Sequence, residues 1–159
     1  MATDIHVKMD GIKGEANADG HKEELEVLSW TWGVTHPVGS AGGGLSAGRA
    51  NVQDLTFEKF VDKATPNLLK YCLNGKHLPE VLLTQRRSGE GAIEYIKIKL
   101  KDAMVSGVHN NGMNGGEVPR ESVTLAFAGV EYEYTPQKAD GKTDGAVSLK
   151  WDCKANKEA

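Results

Sequence analysis

Cysteine is nearly absent: Cys72 and Cys153 are the only two in 159 residues. They form no Cys-x-x-Cys pair and have no clustered histidine beside them, so neither a disulfide framework nor a thiolate metal site has support. Two reduced, largely buried thiols are expected, since a free cysteine packs as a small apolar residue. Charge of one sign is also scarce. The net charge is -3, which gives no general attraction to phosphate backbones or anionic lipid, so nucleic acid is not an expected partner. The basic pair Arg86 and Arg87 reads as a solvated turn flank. No apolar run approaches the ~20 residues of a membrane-spanning helix. The opening residues, Met1 to Met9, lack the basic start, apolar stretch and cleavage site of a secretory signal. The chain is therefore expected to be made and folded in the cytosol, without membrane insertion, and to leave the cell only by a route that reads no cleaved signal.

Glycine, by contrast, is abundant. It fills 19 of the 159 positions, well above the typical ~7%, which favours turns and loops over long helices. Hydrophobic residues make up 39% and charged residues 26%, enough to bury a core without metals or disulfides. No linker-like break or internal repeat interrupts the chain, and a single domain spanning 1–159 is expected.

Most of the sequence alternates apolar and polar residues with a period of two, the pattern of half-buried strands. Ile5, Val7 and Met9 share one face. A second strand, about 24–35, begins with apolar residues at odd positions, Leu25 and Val27, then moves to even ones, Leu28, Trp30, Trp32 and Val34. A slip of one residue turns side chains to the other face, so a bulge or bend is predicted near Val27 and Leu28. The glycine-rich stretch 39–48 reads as a long flexible loop. A strand resumes at about Asn51 with Leu55 and Phe57 on one face. Thr65 as N-cap, Pro66 at the first position, a stripe of Leu68, Leu69, Cys72 and Leu73, and Gly75 as a left-handed stop predict one short helix. Strands are predicted again at about 79–86 and 93–108, joined by a turn at 88–91. Ile96, Ile98 and Leu100 lie opposite Lys97, Lys99 and Lys101. The strand carrying Val123, Leu125 and Phe127 changes phase to Val130, Tyr132 and Tyr134 at Ala128 and Gly129. A last strand carries Val147, Leu149, Trp151 and Cys153. The reading is mainly β, a two-sheet barrel or sandwich of about seven strands with one short helix at its side.

Catalytic motifs are weak. Gly44-Leu-Ser-Ala-Gly48 matches a nucleophile elbow in form, but polyglycine enters it and a strand leaves it, where that device needs a strand before and a helix after. Gly42, Gly44 and Ala47 likewise lack the helix that a dinucleotide fingerprint requires. His6, His21, His36, His77 and His109 are isolated, without metal-ligand spacing, and no acid–base pair stands out. No enzyme activity, cofactor or metal is expected. Trp30 and Trp32 point to one face, expected to be buried. Ser29 and Thr31 point to the other, which could meet solvent, a cavity or a lumen.

Several segments together resemble one family. Val27-Leu-Ser-Trp-Thr-Trp-Gly33, Val52-Gln-Asp-Leu-Thr-Phe-Glu-Lys59, Asp62-Lys-Ala-Thr-Pro-Asn-Leu68, Gly75-Lys-His77 and Pro136-Gln-Lys-Ala-Asp-Gly141 follow in the order seen in the hemolysin-coregulated protein (Hcp) family of type VI secretion systems, with Lys13-Gly-Glu15 near the start. The resemblance spans almost the whole chain. It implies a two-sheet barrel with one helix that assembles as six-membered rings. The rings would stack into a phage tail tube-like inner tube inside a contractile sheath, tipped by a spike protein and able to hold effector proteins in its lumen for delivery. On that reading Ser29 and Thr31 face the lumen, and Gly42, Gly43, Gly44, Leu45, Ser46, Ala47 and Gly48 contact a neighbouring subunit or ring. A monomeric barrel binding a small molecule in an apolar pocket is the alternative.

Overall fold

The computed structural model of the chain describes residues 3–39, 42–87 and 92–159. Its strands are β1 (Thr3–Met9), β2 (Leu25–Val27), β3 (Ser29–Thr31), β4 (Val34–Thr35), β5 (Val38–Gly39), β6 (Ser46–Ala47), β7 (Asn51–Val52) and β8 (Leu55–Phe60). The helix α1 (Thr65–Asn74) follows, then β9 (His77–Arg87), β10 (Glu94–Asn111), β11 (Arg120–Tyr134), β12 (Val147–Asp152) and β13 (Lys157–Glu158). The predicted turn at 88–91 lies outside the described residues.

Antiparallel pairing closes a circuit. β1 pairs with β9, β9 with β10, β10 with β11, β11 with β8, and β8 with β3. Leu28 joins β3 to β2, which pairs back onto β1. The predicted break near Val27 and Leu28 is thus the point where one run of chain leaves β1 and joins β8, and the Leu28 amide donates to the Glu58 carbonyl there at 2.7 Å. Closure of this kind removes free strand edges. β12 and β13 extend the sheet outside the circuit from β11. The phase change in β11 has a related cause. Up to Leu125 this strand pairs with β8, and from Gly129 it pairs with β12.

Alternate residues from the paired strands fill the barrel. Val7, Leu25, Phe57, Leu83, Ile98 and Leu125 are fully shielded from solvent, and each such side chain contributes roughly 1.5–3 kcal/mol of burial free energy. Trp30 and Trp32 are half-buried and pack against this core, short of the full burial expected. The Trp30 indole N–H donates to Gln85 Oε1 at 2.8 Å and that of Trp32 to the Gln53 carbonyl at 2.8 Å.

Other expectations need correction. The predicted strand at 24–35 is three short strands, with Leu28 and Val34 exposed. The stretch 39–48 is not only loop: Val38 pairs with Ala47 and Gly39 with Ser46, while Ser40 and Ala41 lie outside the described residues. Thr65 is the first helical residue and not the cap; Ala64 occupies that position without a side-chain bond, and the Thr65 hydroxyl turns to Glu121. The buried face of α1 is Thr65, Leu68 and Tyr71, whereas Leu73 is exposed. Gly75 ends the helix in the left-handed region at φ 63°, as its lack of a Cβ permits, and its amide donates to the Tyr71 carbonyl. Both cysteines are free and half-buried, less enclosed than expected.

Candidate functional site

Cross-strand register builds a polar surface over one side of the barrel. Trp30, Phe57, Val123 and Val108 stand opposite one another along β3, β8, β11 and β10. Their side chains point to the core. A strand's side chains alternate, so the flanking rows point away from it. One row is Ser29, Glu58, Ser122 and His109; the other is Thr31, Thr56, Thr124 and Gly107. Ser29, Thr31, Glu58 and His109 are exposed. The hydroxyls of Thr56 and Thr124 share a hydrogen bond of 3.1 Å. At the β10 bulge, the Ser106 hydroxyl lies 3.1 Å from Asp54 Oδ2 and 3.2 Å from the Thr124 carbonyl. The surface is therefore small, hydroxyl-rich and lightly charged. Ser29 and Thr31, named from the sequence, lie in these rows with Thr56, Glu58, Ser122, Thr124 and His109, which the sequence did not place beside them. The alternation in β8 and β11 would have supplied the polar faces, though not the register that aligns them.

A second surface is formed by the arm between β3 and β8. β4 pairs with β7 at its base and β5 with β6 further out. The segments 34–39, 42–45 and 48–49 are all exposed. Gly42, Gly43, Gly44 and Leu45 form the tip side of this hairpin, and Leu45 is 83% exposed. The backbone places Ser46 and Ala47 in β6, followed by Gly48, whose amide donates to the Pro37 carbonyl at 3.2 Å. β7, not a helix, comes next, so Ser46 has no strand–turn–helix setting. At the base of the arm, Trp32, Val34, Val52, Leu149 and Trp151 line an apolar cleft of about 160 Å³. Arg49 pins the arm to the far end of β12, donating to the carbonyls of Cys153 and Lys154 at 3.0 and 3.3 Å.

Among the described residues, the titratable groups form no reacting constellation. His77, Asp102 and Cys153 border one depression. The hydrogen bond between His77 Nδ1 and Asp102 Oδ1, at 3.1 Å, holds the Asp102 carboxyl below its ordinary range, with the charges of His77 and Lys154 assisting. Burial and then Asp152 push the Cys153 thiol up, away from the thiolate a nucleophile requires. Among the described residues, no group of three or more His, Cys, Asp or Glu side chains is placed to hold a metal ion. Among the described residues, no helix is long and apolar enough to cross a membrane.

Comparison with known proteins agrees with this architecture. The family model described as type VI secretion system effector, Hcp, matches residues 6–134. The chain is 46% identical to Protein hcp1 of Pseudomonas aeruginosa over 162 aligned positions, covering all of both chains. A solved type six secretion system protein superposes with a TM-score of 0.93 at 29% identity, over 99% of this chain and 100% of that one. Hcp1 from Salmonella typhimurium superposes with a TM-score of 0.77 at 39% identity, over 100% of each. The chain belongs to the Hcp family and is a tube protein of the type VI secretion system.

Proposed function

We propose that six copies close into a ring, that rings stack into the inner tube of the secretion machine, and that the lumen holds effector proteins during delivery. The tube would travel inside a contractile sheath behind a spike protein and leave the cell without a cleaved signal. The whole chain, 1–159, would act as one tube-subunit domain without enzymatic activity. Ser29 and Thr31 face the lumen in this reading, within the two polar rows of β3, β8, β11 and β10. Gly42, Gly43, Gly44, Leu45, Ser46, Ala47 and Gly48 contact the neighbouring subunit or ring.

The observation that carries the proposal is the pairing of an exposed arm, bearing apolar Leu45, with a separate apolar cleft between Trp32 and Trp151. Contacts between unlike patches are heterologous, and they close into rings when the rotation allows. The polar rows suit a transit wall, because they offer hydroxyls without a large apolar patch to bind cargo irreversibly. The alternative, a small-molecule barrel, has less support. The interior is filled by core side chains, and the apolar cleft of about 160 Å³ is below the roughly 300–1,000 Å³ of ordinary ligand pockets.

Native mass spectrometry at near-neutral pH tests the assembly. The expected dominant species contains six chains of 17.1 kDa. A monomer that persists across protein concentrations would overturn the ring.

A further inference from the structure

On the outer face of β1, His6 is only 3% exposed and His21 only 5%. Their rings stack with centroids 4.5 Å apart and planes within 6°. His21 belongs to the 10–24 loop, whose two sides pair with each other through Gly14 to Glu23 at 2.7 Å and Glu23 to Ala16 at 2.9 Å. Ile12 and Ala16 anchor the near part of this loop by burial. Among the described residues, the outer part, 17–23, meets the sheet at the following points. His21 meets Glu94 of β10 at 2.7 Å, Arg86 of β9 donates to the Asp19 carbonyl at 3.1 Å, and the His21 ring covers His6.

We infer that the stacked His6–His21 pair is a pH-sensitive latch, which holds segment 17–23 on the sheet near neutrality and releases it in mildly acidic solution. His21 also meets Glu24 Oε1 through Nδ1 at 3.0 Å. His6 Nδ1, by contrast, has no hydrogen-bond partner. Burial first, then His21 and Arg86, hold the His6 imidazole below its ordinary value, against opposing pulls from Glu24 and Asp4.

The surrounding charges are Asp4 and Lys8 on β1, Glu26 opposite His6 on β2, Arg86 on β9, Glu94 and Lys97 on β10, and His21 and Glu24 in the loop. Because closure depresses the proton affinity of His6, the open form binds the proton better. The closed form is fully favoured above the ordinary histidine value of about 6.5 and loses that advantage as pH falls.

Amide hydrogen exchange of the intact protein at pH 7.5 and 5.5, corrected for intrinsic rates, tests the latch. Protection at His21, Glu23 and Glu24 is expected to be partly lost at pH 5.5, while β9 and β10 stay protected. His6→Phe keeps a stacking ring but does not titrate, and should remove the pH dependence. Equal protection at both pH values in the wild type overturns the proposal, as does a fall that survives in His6→Phe. An NMR titration of the wild-type His6 ring gives a reading that does not depend on the variant folding. Ring and loop amides should shift together, and a ring that titrates without the loop following also overturns the latch.

Discussion

Lys59 Nζ lies 2.6 Å from Glu121 Oε2, and neither side chain keeps any exposure to solvent. Lys59 occupies the core-facing register of β8, two residues beyond Phe57. Its ammonium also donates to Asp62 Oδ1 and to the Phe60 carbonyl, each at 2.8 Å, while the Thr65 hydroxyl donates to Glu121 Oε2 at 2.7 Å. The network joins β8, β11 and the start of α1. Removing the cation leaves a buried carboxylate without its counter-charge, which costs about 3–5 kcal/mol, whereas replacing both partners by apolar residues is often neutral. Lys59→Met should therefore lower stability to urea strongly, and adding Glu121→Leu should restore much of the loss. A Lys59→Met chain as stable as wild type would show that the pair is dispensable.

A second stability prediction concerns Gly14. A Cβ added there would collide with the Glu24 carbonyl oxygen and lie 2.9 Å from Leu25 Cα, both backbone atoms that cannot swing aside. Gly14→Ala should destabilise by about 1–3 kcal/mol through overpacking. Gly145 has open space around the same position, so Gly145→Ala should stay within about 0.5 kcal/mol of wild type. Thermal unfolding of the two variants side by side measures the difference. Equal melting temperatures would mean that the 10–24 loop yields more readily than this contact implies.

These cases mark where sequence reading reaches and where it stops. Ile98 and Leu100 against Lys97, Lys99 and Lys101 declare a strand face without any partner in view, and the structure buries the two apolar residues. Gly75 after Asn74 declares a helix end because left-handed backbone suits few other residues. The break at Leu28 was legible as a phase slip, but its meaning, a change of partner strand, depends on β1 and β8 together. Lys59 was not legible as a core residue, because Glu121 lies 62 positions away. The same distance problem hid the stack of His6 on His21 and the alignment of Ser122 with Glu58. The pairing of β5 with β6 gives no alternation to read, since each strand has only two residues. Thr65 misled because its hydroxyl donates to Glu121 instead of accepting from the helix's own amides.

The arm yields a prediction about assembly. Leu45 is too exposed to support the chain's own core, so Leu45→Glu should leave unfolding of the isolated chain within about 0.5 kcal/mol of wild type. If the tip rests on a neighbour's apolar surface, the carboxylate must be desolvated there. If Leu45 is a hot spot of that contact, its loss weakens the interface by about 2 kcal/mol or more, roughly thirtyfold. Sedimentation velocity across a dilution series should show rings or stacks dissociating at higher concentration in the variant. An unchanged distribution would remove Leu45 from the interface and leave the cleft at Trp32 and Trp151 without this partner.

Thr31 tests the lumen separately from the ring. It stands opposite Thr56, whose hydroxyl is engaged with Thr124 at 3.1 Å, so a longer side chain at position 31 has no inward space and must extend away from the barrel. Thr31→Gln keeps the surface polar and neutral, so assembly should persist. Cargo held against the wall would meet the added amide, and binding of a lumen-loaded effector should weaken about tenfold, or ~1.4 kcal/mol. Ser29→Gln, in the neighbouring row on the same strand, should act in the same direction. Isothermal titration of preformed rings with an effector separates the outcomes. Weaker binding by intact rings supports the lumen assignment. Unchanged binding in both variants would place the cargo elsewhere and turn the polar rows of β3, β8, β11 and β10 to the outside of the ring.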